Sequence, residues 1–269
     1  MKLFNISAKD STKYFNEVEE KLIEETRYTL ELEQSQEIAD ACRHLPDTLF
    51  PNYYPEYSSE RILTMDWMDG IHLTDFKPEK DTGNKIGQAL WDFYMYQIHT
   101  LKKVHADPHP GNFLVSEGNK LIVLDFGCIK EIPEDFSIPY FNLLNNDTLG
   151  SKELVEDNMY RLEILKDSDL VSEKEFFLEM FSNLFGVFAK PFNKSSFDFS
   201  NKDFFNELAS MGKKYSTNPD VRKMNSNRGS KHFIYINRTF FGLYNLLHLL
   251  EADNIIIDNI GWRNLKGAE

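Results

Sequence analysis

Apolar positions recur with a helical rhythm near the start of the chain. Tyr14, Val18, Leu22 and Ile23 open a stripe, and charged residues crowd the other faces through about Cys42. Asp10, Ser11 and Thr12 precede the stripe and offer side-chain oxygens for an N-cap. Pro46, Pro51 and Pro55 then end the pattern. Residues 61–67 (RILTMDW) read as a short strand running into Met68-Asp69-Gly70. A second helix is predicted over 84–104, where Ile86, Ala89, Leu90, Phe93, Ile98 and Leu101 fall near one face. Phe113-Leu114-Val115 and Leu121-Ile122-Val123-Leu124 flank Glu117-Gly118-Asn119, which predicts a β-hairpin. From Pro139 onward the pattern is helical. A loop rich in Ser, Asn and Phe interrupts it at 192–201, and a polar one at 216–230. There is no internal repeat.

Composition narrows the class. Hydrophobic residues make up 41% of the 269, with 22 Phe, enough for a packed core. A formal net charge of −13 argues against nucleic acid as a partner, since that affinity rests on a basic surface. The same charge leaves room for a nucleotide, which needs only a few local cations and a metal ion. Cys42 and Cys128 form no paired motif, which fits a reducing compartment. No signal peptide and no membrane span is read. The most apolar stretch, 232–250, contains Asn237, Arg238, Asn245 and His248, and is expected as a buried helix. The expectation is a cytoplasmic protein.

Chemistry concentrates in residues 105–127, HADPHPGNFLVSEGNKLIVLDFG. Asp107 leaves a helix end and enters a loop stiffened by Pro108 and Pro110 and bent at Gly111. Asn112 follows five positions later, so its amide oxygen can share the same pocket. Asp125 ends the second hairpin strand, and Gly127 frees the backbone to turn away. A hairpin of this length can bring Asp107, Asn112 and Asp125 together. Two carboxylates and an amide oxygen are hard ligands suited to Mg²⁺. Protein kinases use this set, because phosphoryl transfer is driven by positioned charge rather than covalent catalysis.

ADPHPGN followed by LDFG resembles the UbiB (aarF-domain) atypical kinase-like family. Upstream, the Glu-rich helix, the Pro-rich link and RILTMDWMDG resemble its helix C, central strands and hinge. RGSKHFIYINRTFFGLYNLL resembles its C-terminal half in pattern. The resemblance implies a mostly helical α+β, protein-kinase-like fold, with a partial N-lobe at 1–70 and a C-lobe at 71–269. It implies ATP and Mg²⁺ as cofactors, Asp107 as the catalytic-loop acid, and Asn112 and Asp125 as metal ligands. Glu25 would be the helix-C acid that pairs with a nucleotide-binding lysine, and Met65, Trp67 and Met68 would be hinge positions on the nucleotide. Its implied setting is isoprenoid-quinone or lipid metabolism, with pathway proteins and peripheral membrane contact as partners.

The sequence also departs from the family. Its KxGQ extension, small-residue nucleotide loop and strand lysine do not appear upstream of the first helix, and the first glycine is Gly70. Lys2, Lys9 and Lys13 have no strand context. Glu25-Thr26-Arg27 places Arg where the family's ExD pair has Asp. A truncated N-lobe is therefore expected, and with it a rival reading: a catalytically dead scaffold that binds a protein partner through uncovered apolar residues. A further rival treats His105, Asp107 and His109 as the ligands of a metallohydrolase. Read blandly, His105 holds the loop by hydrogen bonds, Glu25 is a solvated charge, Cys128 is a buried inert thiol, and Arg238 forms a structural salt bridge.

Overall fold

Helix α1 (Tyr28–Cys42) is the part of the first predicted helix that lies within the described residues, 28–216 and 228–261 of a computed structural model. The predicted cap at residues 10–12, the stripe positions 14–23 and Glu25 fall outside them. Leu32, Ser35, Ile38, Ala39 and Cys42 form the buried face of α1, at the three- and four-residue spacing a helix requires.

The predicted hairpin forms. Strands β4 (Phe113–Val115) and β5 (Leu121–Val123) pair antiparallel, with Phe113 opposite Val123. Strand β1 (Thr48–Leu49) joins parallel to β5, and β2 (Ile71–His72) antiparallel to β4, giving the sheet order β1-β5-β4-β2. Residues 48–72 and 113–123 thus share one sheet, which crosses the boundary expected at residue 70.

The strand expected at 61–67 does not form. Residues 53 and 65 meet in a single bridge, and 59 and 62 in another. Pairing stops there because Asp66 turns its carboxylate onto Asn52, accepting from the Asn52 backbone N (3.1 Å) and from Nδ2 (2.7 Å). A side chain therefore takes the place of the next rungs of a ladder.

Helix α2 (Lys80–Tyr96) runs through the middle of the molecule, with Ile86, Leu90, Trp91, Phe93 and Tyr94 all fully buried. It was expected to continue to 104. Instead it widens into a π-turn at Gln97–Leu101 and stops at Lys102, whose φ of 54° is left-handed. Val104 then enters strand β3 (Lys103–His105), which pairs antiparallel with β6 (Ile129–Glu131). A β-branched residue with an available partner strand ended the helix.

Among the described residues the remaining α-helices are α3 (Glu134–Asn142), α4 (Asn146–Leu149), α5 (Lys152–Arg161), α6 (Val171–Phe188), α7 (Lys202–Ser216) and α8 (Lys231–Leu249). Helical structure starts at Glu134, before the expected Pro139, which sits inside α3. The segment read as a loop at 192–201 contains strand β7 (Ser196–Phe197), paired with β8 (Ile255–Ile256). β8 is tied to α2: Gln88 Nε2 donates to the Ile256 carbonyl, Oε1 accepts from its N–H, and Trp91 Nε1 donates to the Ile257 carbonyl. The α2 and α8 axes approach closely where Gly83 meets the Leu250 carbonyl, with no space for a Cβ. Further along α2, Trp91 packs on Phe192 and Phe199, which interlock with Phe240 and Tyr244 at ring separations of 5.2–6.2 Å. Among the described residues no helix is long and apolar enough to cross a membrane.

Candidate active site

The loop that carries Asp107 hangs from the β3–β6 pair. His105 stands opposite Ile129, and the Ala106 N–H donates to the Cys128 carbonyl at 2.8 Å. Asp107 and Gly127 therefore leave the same two-stranded ribbon on adjacent strands. Gln97 fixes the ribbon from below. It is fully buried in the π-turn, its Nε2 donates to the Phe93 carbonyl, and its Oε1 accepts from the His105 N–H at 2.9 Å. Sequence reading missed Gln97. Its signal is an amide on the buried face of a helix, eight residues before the strand residue it holds.

Asn112 joins the three predicted residues. Its Nδ2 donates to the Asp107 carbonyl at 3.0 Å, and its own carbonyl accepts from the Leu124 N–H at 3.0 Å, one residue before Asp125. Asp125 in turn accepts at Oδ1 from the Gly127 N–H at 2.7 Å, an Asx-turn that sets the carboxylate's direction. Tyr53 reaches the same strand end, donating to the Leu124 carbonyl at 3.5 Å. Burial raises the Tyr53 phenol well above its usual range, and the nearby charges of Asp125 and Glu31 add to this. Buried Tyr94 has its phenol raised first by burial and then by the charge of Asp107.

This donor set fits a hard divalent cation. With Nδ2 held by the Asp107 carbonyl, the Asn112 side-chain oxygen has no protein donor among the described residues. One carboxylate oxygen of Asp125 is likewise left over. Both are the oxygen type that Mg²⁺ takes while keeping several waters.

Helix α1 brings Glu31 to this site. A Cβ on Gly127 would lie 3.9 Å from the Glu31 carboxyl carbon, and Glu31, Gln34, Gly127 and Lys130 line a small polar cavity of about 50 Å³. The acid proposed from sequence, Glu25, lies outside the described residues. Glu31 was legible in one respect: it is in phase with the buried positions 35, 38 and 42. The three positions read as the hinge range from half-buried to exposed. Met65 bridges Tyr53, Met68 is half-buried, and Trp67 is 88% exposed with Nε1 on Asp69 Oδ1 at 3.0 Å. From Tyr28 to Phe76 the chain has no lysine.

Two bland readings change. Arg238 makes a salt bridge, but its partner is Asp107, with both side chains about half exposed. Cys128 is half-buried rather than buried, because it sits at the open end of the β3–β6 ribbon; Cys42 is the fully buried thiol, pushed up to about 12 by burial. The metallohydrolase arrangement does not form. His109 Nδ1 accepts from the Gly111 N–H in its own loop, and His105 is buried beside Phe126. Among the described residues, no three His, Cys, Asp or Glu side chains converge on one point.

Comparison with known proteins gives the family and the fold. Residues 1–157 match the ABC1 atypical kinase-like domain. The chain is 32% identical over 117 residues to the chloroplastic protein Activity of BC1 Complex Kinase 1 of Arabidopsis thaliana, covering 42% of this chain and 17% of that one. It is 28% identical over 180 residues to the mitochondrial atypical kinase COQ8 of Saccharomyces cerevisiae, covering 66% and 36%. This chain thus spans about a third or less of these relatives. Rv3197 of Mycobacterium tuberculosis, solved with erythromycin, shares the fold with a TM-score of 0.70 at 17% identity, over 91% of this chain and 59% of that one.

Proposed function

The chain belongs to the UbiB/ABC1 atypical kinase-like family, and from that membership we propose that it binds Mg²⁺-ATP at Asp107, Asn112 and Asp125 for kinase or ATPase chemistry. The observation that carries the reading is Asn112, whose amide binds the Asp107 loop while its backbone binds the Asp125 strand. In this reading Asn112 and Asp125 hold the metal, which offsets the charge of the phosphate oxygens. Asp107 orients the acceptor hydroxyl or water and takes its proton as the new P–O bond forms and the bond to ADP breaks. Glu31 takes the helix-C place that sequence gave to Glu25. Residues 1–70 are proposed as a partial N-lobe and 71–269 as the C-lobe. The acceptor is proposed to belong to isoprenoid-quinone or lipid metabolism, with the chain working in the cytoplasm or at a membrane surface.

Calorimetry with ATP, with and without Mg²⁺, tests the site. Binding that requires Mg²⁺ and is lost in Asp125→Asn supports it. No binding by the parent chain, or equal binding by the variant, removes it.

A second reading, the partner-binding scaffold, has its own observation. Tyr57, Ile62, Trp67 and Ile71 are all more than half exposed within residues 57–71. A partner or second copy seated there would protect Trp67 from fluorescence quenching on association. A monomer at all concentrations with Trp67 fully quenchable in cell extract counts against it.

A further inference from the structure

The loop from His105 to Asn112 contains no lysine or arginine. Of its two histidines, His105 is buried beside Phe126 and His109 is turned back onto the Gly111 N–H. A carboxylate that is to receive an acceptor proton in a phosphoryl-transfer centre needs a fixed aim and a partner that fixes it. The structure supplies both from a distant part of the chain.

Arg238 Nη2 meets Asp107 Oδ1 from helix α8, 131 residues on. Among the described residues it is the donor the structure gives this carboxylate. The helix that carries it is firmly held. Asn237 Oδ1 accepts from Tyr140 OH at 3.1 Å, and Tyr244 OH donates to the Phe188 carbonyl at 3.1 Å. One turn beyond Arg238, Gly242 lets the loop itself come into contact, with Pro108 against the bare backbone. Arg238 and Gly242 are four residues apart and so lie on one face of α8. One grips the side chain of Asp107, and the other seats the next residue.

We infer that Arg238 is the positioning residue for Asp107, setting the carboxylate's direction toward the acceptor oxygen from outside the kinase-like loop. This rests on the phosphoryl-transfer reading above. The guanidinium suits the task because its fork is planar, always charged and has donors to spare beyond the one used. Since both partners are half exposed, the pair adds little to folding stability. Its loss therefore shows in the loop and in turnover, not in unfolding.

The test compares the parent chain with Arg238→Ala and Arg238→Lys by three measurements: thermal unfolding, amide hydrogen exchange of residues 105–112, and steady-state Mg²⁺-ATP turnover. The expected result for Arg238→Ala is unchanged unfolding, faster loop exchange, an unchanged KM for ATP and a kcat lower by roughly a hundred-fold. Arg238→Lys, which keeps the charge without the fork, recovers part of kcat, and added guanidinium recovers part of it in Arg238→Ala. Unchanged loop exchange in Arg238→Ala overturns the inference, as does a kcat within two-fold of the parent. Parallel loss of unfolding temperature, ATP affinity and kcat also overturns it, since that is a purely structural role. A parent chain without turnover fails the phosphoryl-transfer reading instead. The exchange measurement then decides the positioning role alone: faster exchange supports it and unchanged exchange removes it.

Discussion

Gly242 stands against Pro108 with no room for a side chain between them. A Cβ on the glycine would fall 2.1 Å from Pro108 Cγ and 3.2 Å from the Pro108 carbonyl oxygen. The second of these is backbone and cannot rotate away. Helix α8 and the Asp107 loop are therefore in contact at the level of main chain, and the helix sets how deep the loop sits.

Gly242→Ala must push the loop outward or bend the helix. Overpacking of this kind costs about 1–3 kcal/mol. Chemical denaturation should show a lower midpoint at unchanged slope, together with loss of Mg²⁺-dependent nucleotide turnover. An unchanged midpoint would mean that the contact relaxes without cost.

Gln97→Leu keeps the size of a buried side chain but removes the acceptor of the His105 N–H. The orphaned donor is buried, and leaving such a group unsatisfied costs about 1–3 kcal/mol. The expected signature is a lowered melting temperature together with faster exchange of the His105 amide. Gln97→Glu, which retains an acceptor oxygen, should protect that amide better than Gln97→Leu does.

Asn112 is proposed to do two jobs with the two ends of one amide, and substitution separates them. Asn112→Asp keeps an oxygen for the metal and loses the donor to the Asp107 carbonyl. Asn112→Ala loses both. Mg²⁺ titration in the presence of ATP should show a weakening of roughly ten-fold or more for Asn112→Ala and less for Asn112→Asp. Equal effects would assign Asn112 to loop fastening alone.

Asp92 lies buried in α2, accepting from Gln88 Nε2 at 3.0 Å and Asn259 Nδ2 at 2.6 Å. Burial raises its carboxyl to about 6 against these two hydrogen bonds, which pull it down. In the unfolded chain it titrates near 3.9. Between these values the folded state holds more protons than the unfolded one, so stability falls as pH rises from about 4 to about 6 and stays lower above it. This group accounts for a loss of about 3 kcal/mol across that window. In Asp92→Asn the contribution vanishes. Subtracting the variant's stability curve from the parent's should leave a decline confined to that interval, and a flat difference would contradict it.

The local chemistry was legible along the chain because neighbours in sequence determine it. Pro108, Pro110 and Gly111 bend the loop; Asn112 returns to Asp107 over five residues; Asp125 closes an Asx-turn on Gly127. The hairpin that brings these pieces together spans eleven residues and carries its own turn, so two short apolar runs and a Glu-Gly-Asn break were enough to find it. What failed at short range failed through competition. The strand expected at 61–67 met Asp66's side chain on Asn52, and the helix expected to reach Val104 met a strand partner in β6.

The remaining features depend on residues far apart, and no local pattern holds them. Residues 196–197 become a strand because 255–256 arrive beside them. Glu31 is one of many acids on its helix until the turn at Gly127 is placed against it. Arg238 reads as a charge in an apolar helix, and only packing shows that its partner is Asp107. The sequence by itself determined the identity and spacing of the residues proposed to handle phosphate and metal, since backbone turns and side-chain chemistry are local. Only the tertiary structure decided what grips them, because long-range contact is chosen by how the buried faces of α2 and α8 pack, and that choice belongs to the whole core at once.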